Sequence, residues 1–81
     1  QNYPNPFNPV TKIFYEIPDR GYISIKIFDL LGREIRTLFN GVKNPGKYTI
    51  DFNGAELSSG VYFCVMKSDD FSQTRRMILI K

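Results

Sequence analysis

The chain holds few side chains able to do chemistry. Cys64 is the one thiol, and the 81 residues contain no histidine. A cysteine nucleophile needs a base to take its proton, and a zinc site needs several Cys or His ligands, so neither can be assembled here. A single cysteine also excludes an internal disulfide and a paired redox motif. Its setting, Tyr62-Phe63-Cys64-Val65-Met66, reads as a small buried hydrophobe. Among the carboxylates, the adjacent Asp69 and Asp70 read as a turn, without the further oxygen ligands of a calcium loop. The expectation is no catalysis, no metal and no cofactor.

Binding chemistry is equally spare. Eleven Lys and Arg against eight Asp and Glu leave a net charge of +3, spread as +1 over residues 1–40 and +2 over 41–81. That excess is too small and too dispersed for a nucleic-acid footprint. The tightest basic cluster is Arg75-Arg76, with Lys81 beyond it, and adjacent residues of a strand point to opposite faces. A sugar-binding surface favours exposed aromatic rings; with no Trp, the candidates are Tyr3, Tyr22 and Phe63.

The elements that must position these groups are strands. Ile13, Tyr15 and Ile17 alternate with Lys12, Phe14 and Glu16, and Pro18-Asp19-Arg20-Gly21 turns the chain. Ile23, Ile25 and Ile27 alternate with Ser24 and Lys26, the period of a half-buried strand. Asp29-Leu30-Leu31-Gly32 reverses direction, with Gly32 supplying a positive φ. Arg33 to Phe39 returns, burying Ile35 and Leu38; the uneven spacing points to a bulge or an early end. Residues 40–46, dense in Asn, Gly and Pro, read as a loop.

Tyr48, Ile50 and Phe52 mark the next strand. A polar connection, into which Leu57 tucks, runs to Gly60, and Val61 to Ser68 is almost continuously apolar. We take Tyr62, Cys64 and Met66 as its core face and Val61, Phe63 and Val65 as an outward patch, although the opposite register stays open. The last strand, Phe71 to Lys81, buries Met77 and Leu79 and leaves Ile78 and Ile80 on its other side. Residues 1–10 form a Pro/Asn-rich lead-in and residues 11–81 the folded domain. Six to seven short strands with turns between them, and no helical period, predict an all-β, immunoglobulin-like antiparallel sandwich of Greek-key type. A chain of this length buries only about 60–65% of its unfolded surface, so its stability is modest.

Five stretches, in order and spacing, carry a family resemblance. They are Asn2-Tyr3-Pro4-Asn5-Pro6-Phe7-Asn8-Pro9; Thr11-x-Ile13; Asp29-Leu30-Leu31-Gly32-Arg33; Leu57-Ser58-Ser59-Gly60-Val61-Tyr62-Phe63; and Thr74-Arg75-Arg76-Met77. Together they resemble the type A C-terminal sorting domain of the type IX (Por) secretion system of Bacteroidota and related bacteria, over the entire chain. The Ig-like domain of flagellar hook-capping proteins shares part of the pattern. Two departures are mild: Cys64 stands where an aromatic is usual, and Phe52 where a Trp often occurs.

The resemblance implies a non-catalytic domain that directs an N-terminal cargo, in cis, through the outer-membrane translocon, with a sortase-like peptidase acting on it during surface attachment. The implied location is the periplasm in transit, then the cell surface or medium. The polar, Pro-rich start is unlike a signal peptide, so export would begin from a signal in a longer parent. Carried onto this chain, translocon recognition falls on Gly60, Val61, Tyr62, Phe63, Arg75, Arg76, Met77, Ile80 and Lys81. Asn5, Pro6, Phe7, Asn8, Pro9, Asp29, Gly32 and Arg33 are the structural part of the motif. The alternative reading is an extracellular binding or assembly module, working by carbohydrate binding or by self-association of edge strands.

Overall fold

The computed structural model describes residues 2–3 and 9–80; the motif positions Asn5, Pro6, Phe7 and Asn8, and the terminal Lys81, lie outside the described residues. Seven strands follow in order: β1 (Asn2–Tyr3), β2 (Val10–Ile17), β3 (Gly21–Asp29), β4 (Glu34–Lys43), β5 (Gly46–Asn53), β6 (Gly60–Lys67) and β7 (Ser72–Leu79). They form two antiparallel sheets, β1-β2-β5 and β4-β3-β6-β7. The chain changes sheet after β2, β4 and β5, while β3–β4 and β6–β7 are hairpins within one sheet. This is the Greek-key sandwich that the strand pattern predicts, with six full strands and a two-residue β1.

Alternation decides which side chains meet. β2 buries Thr11, Ile13, Tyr15 and Ile17, and β3 buries Ile23, Ile25 and Ile27. β6 contributes Tyr62, Cys64 and Met66, β7 contributes Met77 and Leu79, and β5 contributes Phe52. The register chosen for β6 is therefore the observed one, with Val61, Phe63 and Val65 half-buried on the outer face. Ile35, Leu38 and Leu57 pack against the core from its margin, as expected.

β4 corrects one expectation. Residues 40–46 are not a loop: β4 continues to Lys43, and only Asn44 and Pro45 separate it from β5. The local Asn-Gly signal is overridden because Gly21, Tyr22, Ile23 and Ser24 of β3 pair with Lys43, Val42, Gly41 and Asn40. Satisfying those backbone groups outweighs a turn preference. The Lys43 ammonium then lies over the rings of Phe39 (4.8 Å) and Tyr48 (4.3 Å), tying the end of β4 to β5.

The uneven spacing in β4 has a structural cause. Register shifts fall between Ile25 and Lys26 and between Ile27 and Phe28, leaving Leu38 and Ile35 as inserted residues. Each bulge resets the two-residue period, so apolar residues three apart in sequence both reach the core margin.

The Tyr62 hydroxyl donates to the Ser58 carbonyl at 2.6 Å, closing the β5–β6 crossover in the manner of the tyrosine corner of immunoglobulin-like sandwiches. Replacing Tyr62 with Phe is expected to cost about 1 kcal/mol and Ile27→Ala about 2–5 kcal/mol, read by urea unfolding. A neutral Y62F would show that the corner bond contributes nothing.

Candidate functional site

The two segments singled out for recognition are adjacent strands. In the β6–β7 hairpin Gly60 pairs with Leu79, Val61 with Ile78, Tyr62 with Met77, Phe63 with Arg76 and Cys64 with Arg75. Alternation divides these pairs between faces. Tyr62 and Met77 are core residues, whereas Val61, Phe63, Arg76 and Ile78 occupy the outer face. Phe28 of β3 lies opposite Phe63 and widens that outer apolar strip. Among the described residues β7 is the last strand of its sheet, and Ile80, just past its end, is 48% exposed.

Arg75 and Arg76 point to opposite faces, and Arg75 is half-buried. Its Nη1 donates to the Phe14 carbonyl of β2, linking the two sheets along their open side. Arg36 does the same on the other side, its Nη1 donating to the Asn53 carbonyl and its guanidinium lying 5.3 Å from the centre of the Phe52 ring. Nothing in residue spacing announces these cross-sheet contacts.

At the other hairpin of this sheet, Asp29 organises the β3–β4 turn. Its Oδ1 accepts from the Leu31 and Arg33 amides, both at 2.9 Å, and its Oδ2 accepts from Arg33 Nε at 2.7 Å. The Asp29 carbonyl accepts from the Gly32 amide, and Gly32 has φ 83°, where a side chain would be strained. Asp29, Gly32 and Arg33 are thus brought together in one turn. The backbone amide of Arg33 foremost, and its guanidinium, hold the Asp29 carboxyl below the ordinary carboxylate range. Glu34 is lowered too, by the Thr37 hydroxyl and then Lys26.

This turn also presents what sequence reading missed. Leu30 is 68% and Leu31 79% exposed, so two large apolar side chains stand in solvent on a hydrogen-bonded scaffold. The available signal was a pair of leucines inside a turn too short to fold them back onto the core. Of the rings considered for sugar contact, Tyr22 is exposed and Phe63 half-buried.

The Cys64 thiol is buried, and burial pushes it up to about 11 against a smaller opposing pull from Arg75. It is a neutral core group at physiological pH. Among the described residues no cluster of three or more His, Cys, Asp or Glu gathers as a metal site.

In comparison with known proteins, a family model described as "Secretion system C-terminal sorting domain" matches residues 1–81. The comparisons with curated proteins and with solved structures found no match.

Two outcomes follow from the chemistry of these groups. Cys64 is expected to react with an aromatic disulfide reagent only on unfolding; rapid labelling of the native protein would contradict its burial. Because the folded state lowers Asp29 and Glu34, their contribution to stability is present above their unfolded values, about pH 4, and is lost as pH falls through the lowered ones. An NMR titration should place the Asp29 midpoint below the ordinary value of about 3.9, and a midpoint at or above it would refute the carboxylate clamp.

Proposed function

This chain belongs to the secretion system C-terminal sorting domain family, that of the type IX system, and on that premise we propose that its β6–β7 hairpin is the part read by the outer-membrane translocon. The observation that carries this reading is the direct pairing of the two motif segments, Gly60 to Phe63 with Arg76 to Leu79, in one hairpin of the four-stranded sheet. On its outer face the hairpin carries the strip of Val61, Phe63 and Ile78.

In this reading the remaining strands are the frame that holds the hairpin rigid. Tyr62 and Met77 act from the core, by fixing the hairpin, while Phe63, Arg76 and Ile80 face the partner. Residues 1–10 are the lead-in from an N-terminal cargo, and the domain is a substrate of the sortase-like peptidase during surface attachment. No step in this role requires catalysis by the chain itself.

The test is a fusion of all 81 residues behind a periplasmic reporter in a bacterium with a type IX system. The reporter is expected to cross the outer membrane, and deleting Ile80-Lys81 is expected to abolish crossing. Met77 and Leu79, the last core residues, remain in that deletion, so the melting temperature should change little. Retention of the full-length fusion inside the outer membrane would overturn the sorting role; normal export of a folded truncated fusion would remove the terminal segment from it.

A further inference from the structure

β2 is paired along the whole of one edge and along only part of the other. Toward β5 every residue from Val10 to Ile17 has a partner; toward β1, among the described residues, only Lys12 and Ile13 do, facing Tyr3 and Asn2. The parity of the strand fixes which main-chain groups lie on that second edge. The Pro9 carbonyl accepts from the Gly54 amide, on the β5 side, so odd-numbered residues of β2 turn their amides and carbonyls to β5 and even-numbered ones turn theirs away. The Phe14 carbonyl agrees, since it accepts from Arg75 of β7 across the open side of the sandwich. Beyond it, the Glu16 amide and carbonyl have no strand opposite them among the described residues.

This stretch of edge borders a groove of about 640 Å³, lined by Glu16 and Pro18 on one side and by Phe71, Ser72, Gln73 and Arg75 on the other. The direction of β1 identifies its occupant. β1 runs antiparallel to β2 with Asn2 opposite Ile13, so each step back from Asn2 moves one residue further along β2. In that register the residue three places before Asn2 stands opposite Glu16, and the next one back stands opposite Ile17, beside the groove.

We propose that the segment joining the cargo to this domain continues β1 in that register, pairs with Glu16 and fills the groove, so that the junction is itself a strand of the sandwich. A segment already held at Asn2 and Tyr3 adds successive residues with no loop to close, which favours it over a strand from another molecule. Main-chain groups supply the bonds, so the segment needs no particular sequence beyond the absence of Pro opposite Glu16. A peptidase that cuts within the paired stretch must first unpair it, and release of the cargo is then coupled to local opening of this edge. The proposal rests on the reading of the chain as a sorting domain that follows a cargo.

Amide hydrogen exchange tests this on the 81-residue domain with and without the segment that precedes Gln1 in the parent. The extension is expected to slow exchange of the Glu16 amide by a factor on the order of ten or more, and to leave the Tyr15 amide, which faces β5, unchanged. Proline introduced three places before Asn2 should abolish that protection. Proline introduced two places before Asn2, where the amide points away from β2, should leave it intact. Unchanged Glu16 exchange in the extended domain, or equal effects of the two prolines, overturns the pairing. Glu16 protection that appears in the unextended domain and grows with its concentration assigns the edge to a second copy and overturns the pairing as well. The measurement involves no export, so its failure leaves the sorting role standing; retention of the full-length reporter fusion inside the outer membrane overturns the role that makes the segment a cargo linker.

Discussion

The isoleucine row of β3 is the constraint on which the domain is built. Ile23, Ile25 and Ile27 are buried, and their strand is hydrogen-bonded to β4 on one edge and β6 on the other. Side chains branched at Cβ suit a pleated surface, and their strict alternation admits one register, since a slip of one residue would turn all three into solvent. With β3 fixed, β6 must present Tyr62, Cys64 and Met66 inward, and that parity turns Phe63 outward. The division of the β6–β7 hairpin into a core face and an outer face is thus a consequence of a strand some forty positions earlier in the chain.

The two sheets are unequal in width, and this shapes the margins. A three-stranded sheet with a two-residue β1 does not cover all of a four-stranded one. β7 is accordingly apolar toward the core at Met77 and Leu79 but polar at Gln73 and Arg75, where its inner face runs past the cover. Arg75 and Arg36 exploit the exposed margins, each reaching from an outer strand of the larger sheet to a backbone carbonyl of the smaller. The long arginine stem covers apolar surface while its head satisfies an acceptor, a combination that Lys, with a single terminal nitrogen, makes less well.

Legibility in the sequence follows the range of the interaction. β2, β3 and β5 were readable, because period-two alternation is a local signal of a one-sided strand, whereas the continuous apolar runs of β6 and β7 left two registers open until pairing with β3 decided between them. The Asp-Leu-Leu-Gly turn was readable from Gly32 alone. The course of β4 beyond Phe39 was not, because Asn40 and Gly41 favour a turn until β3 pairs with them, and pairing is not written locally. Two bulges compound the difficulty by breaking alternation where it would have guided the eye. For the candidate site, the words of the motif marked Gly60 to Phe63 and Thr74 to Met77, yet their direct pairing, the inward reach of Arg75 and the exposure of Leu30 and Leu31 emerge only in three dimensions.

The order in which the core is completed has a further meaning. Cys64, Met66, Met77 and Leu79 form one side of the hydrophobic interior, and all come from the final hairpin. A polypeptide broken off by premature termination or proteolysis before that hairpin cannot close its interior, however well the earlier strands are made. The folded module is in this sense a certificate that translation reached β7, because a chain cut before it lacks the inward side chains that close the interior.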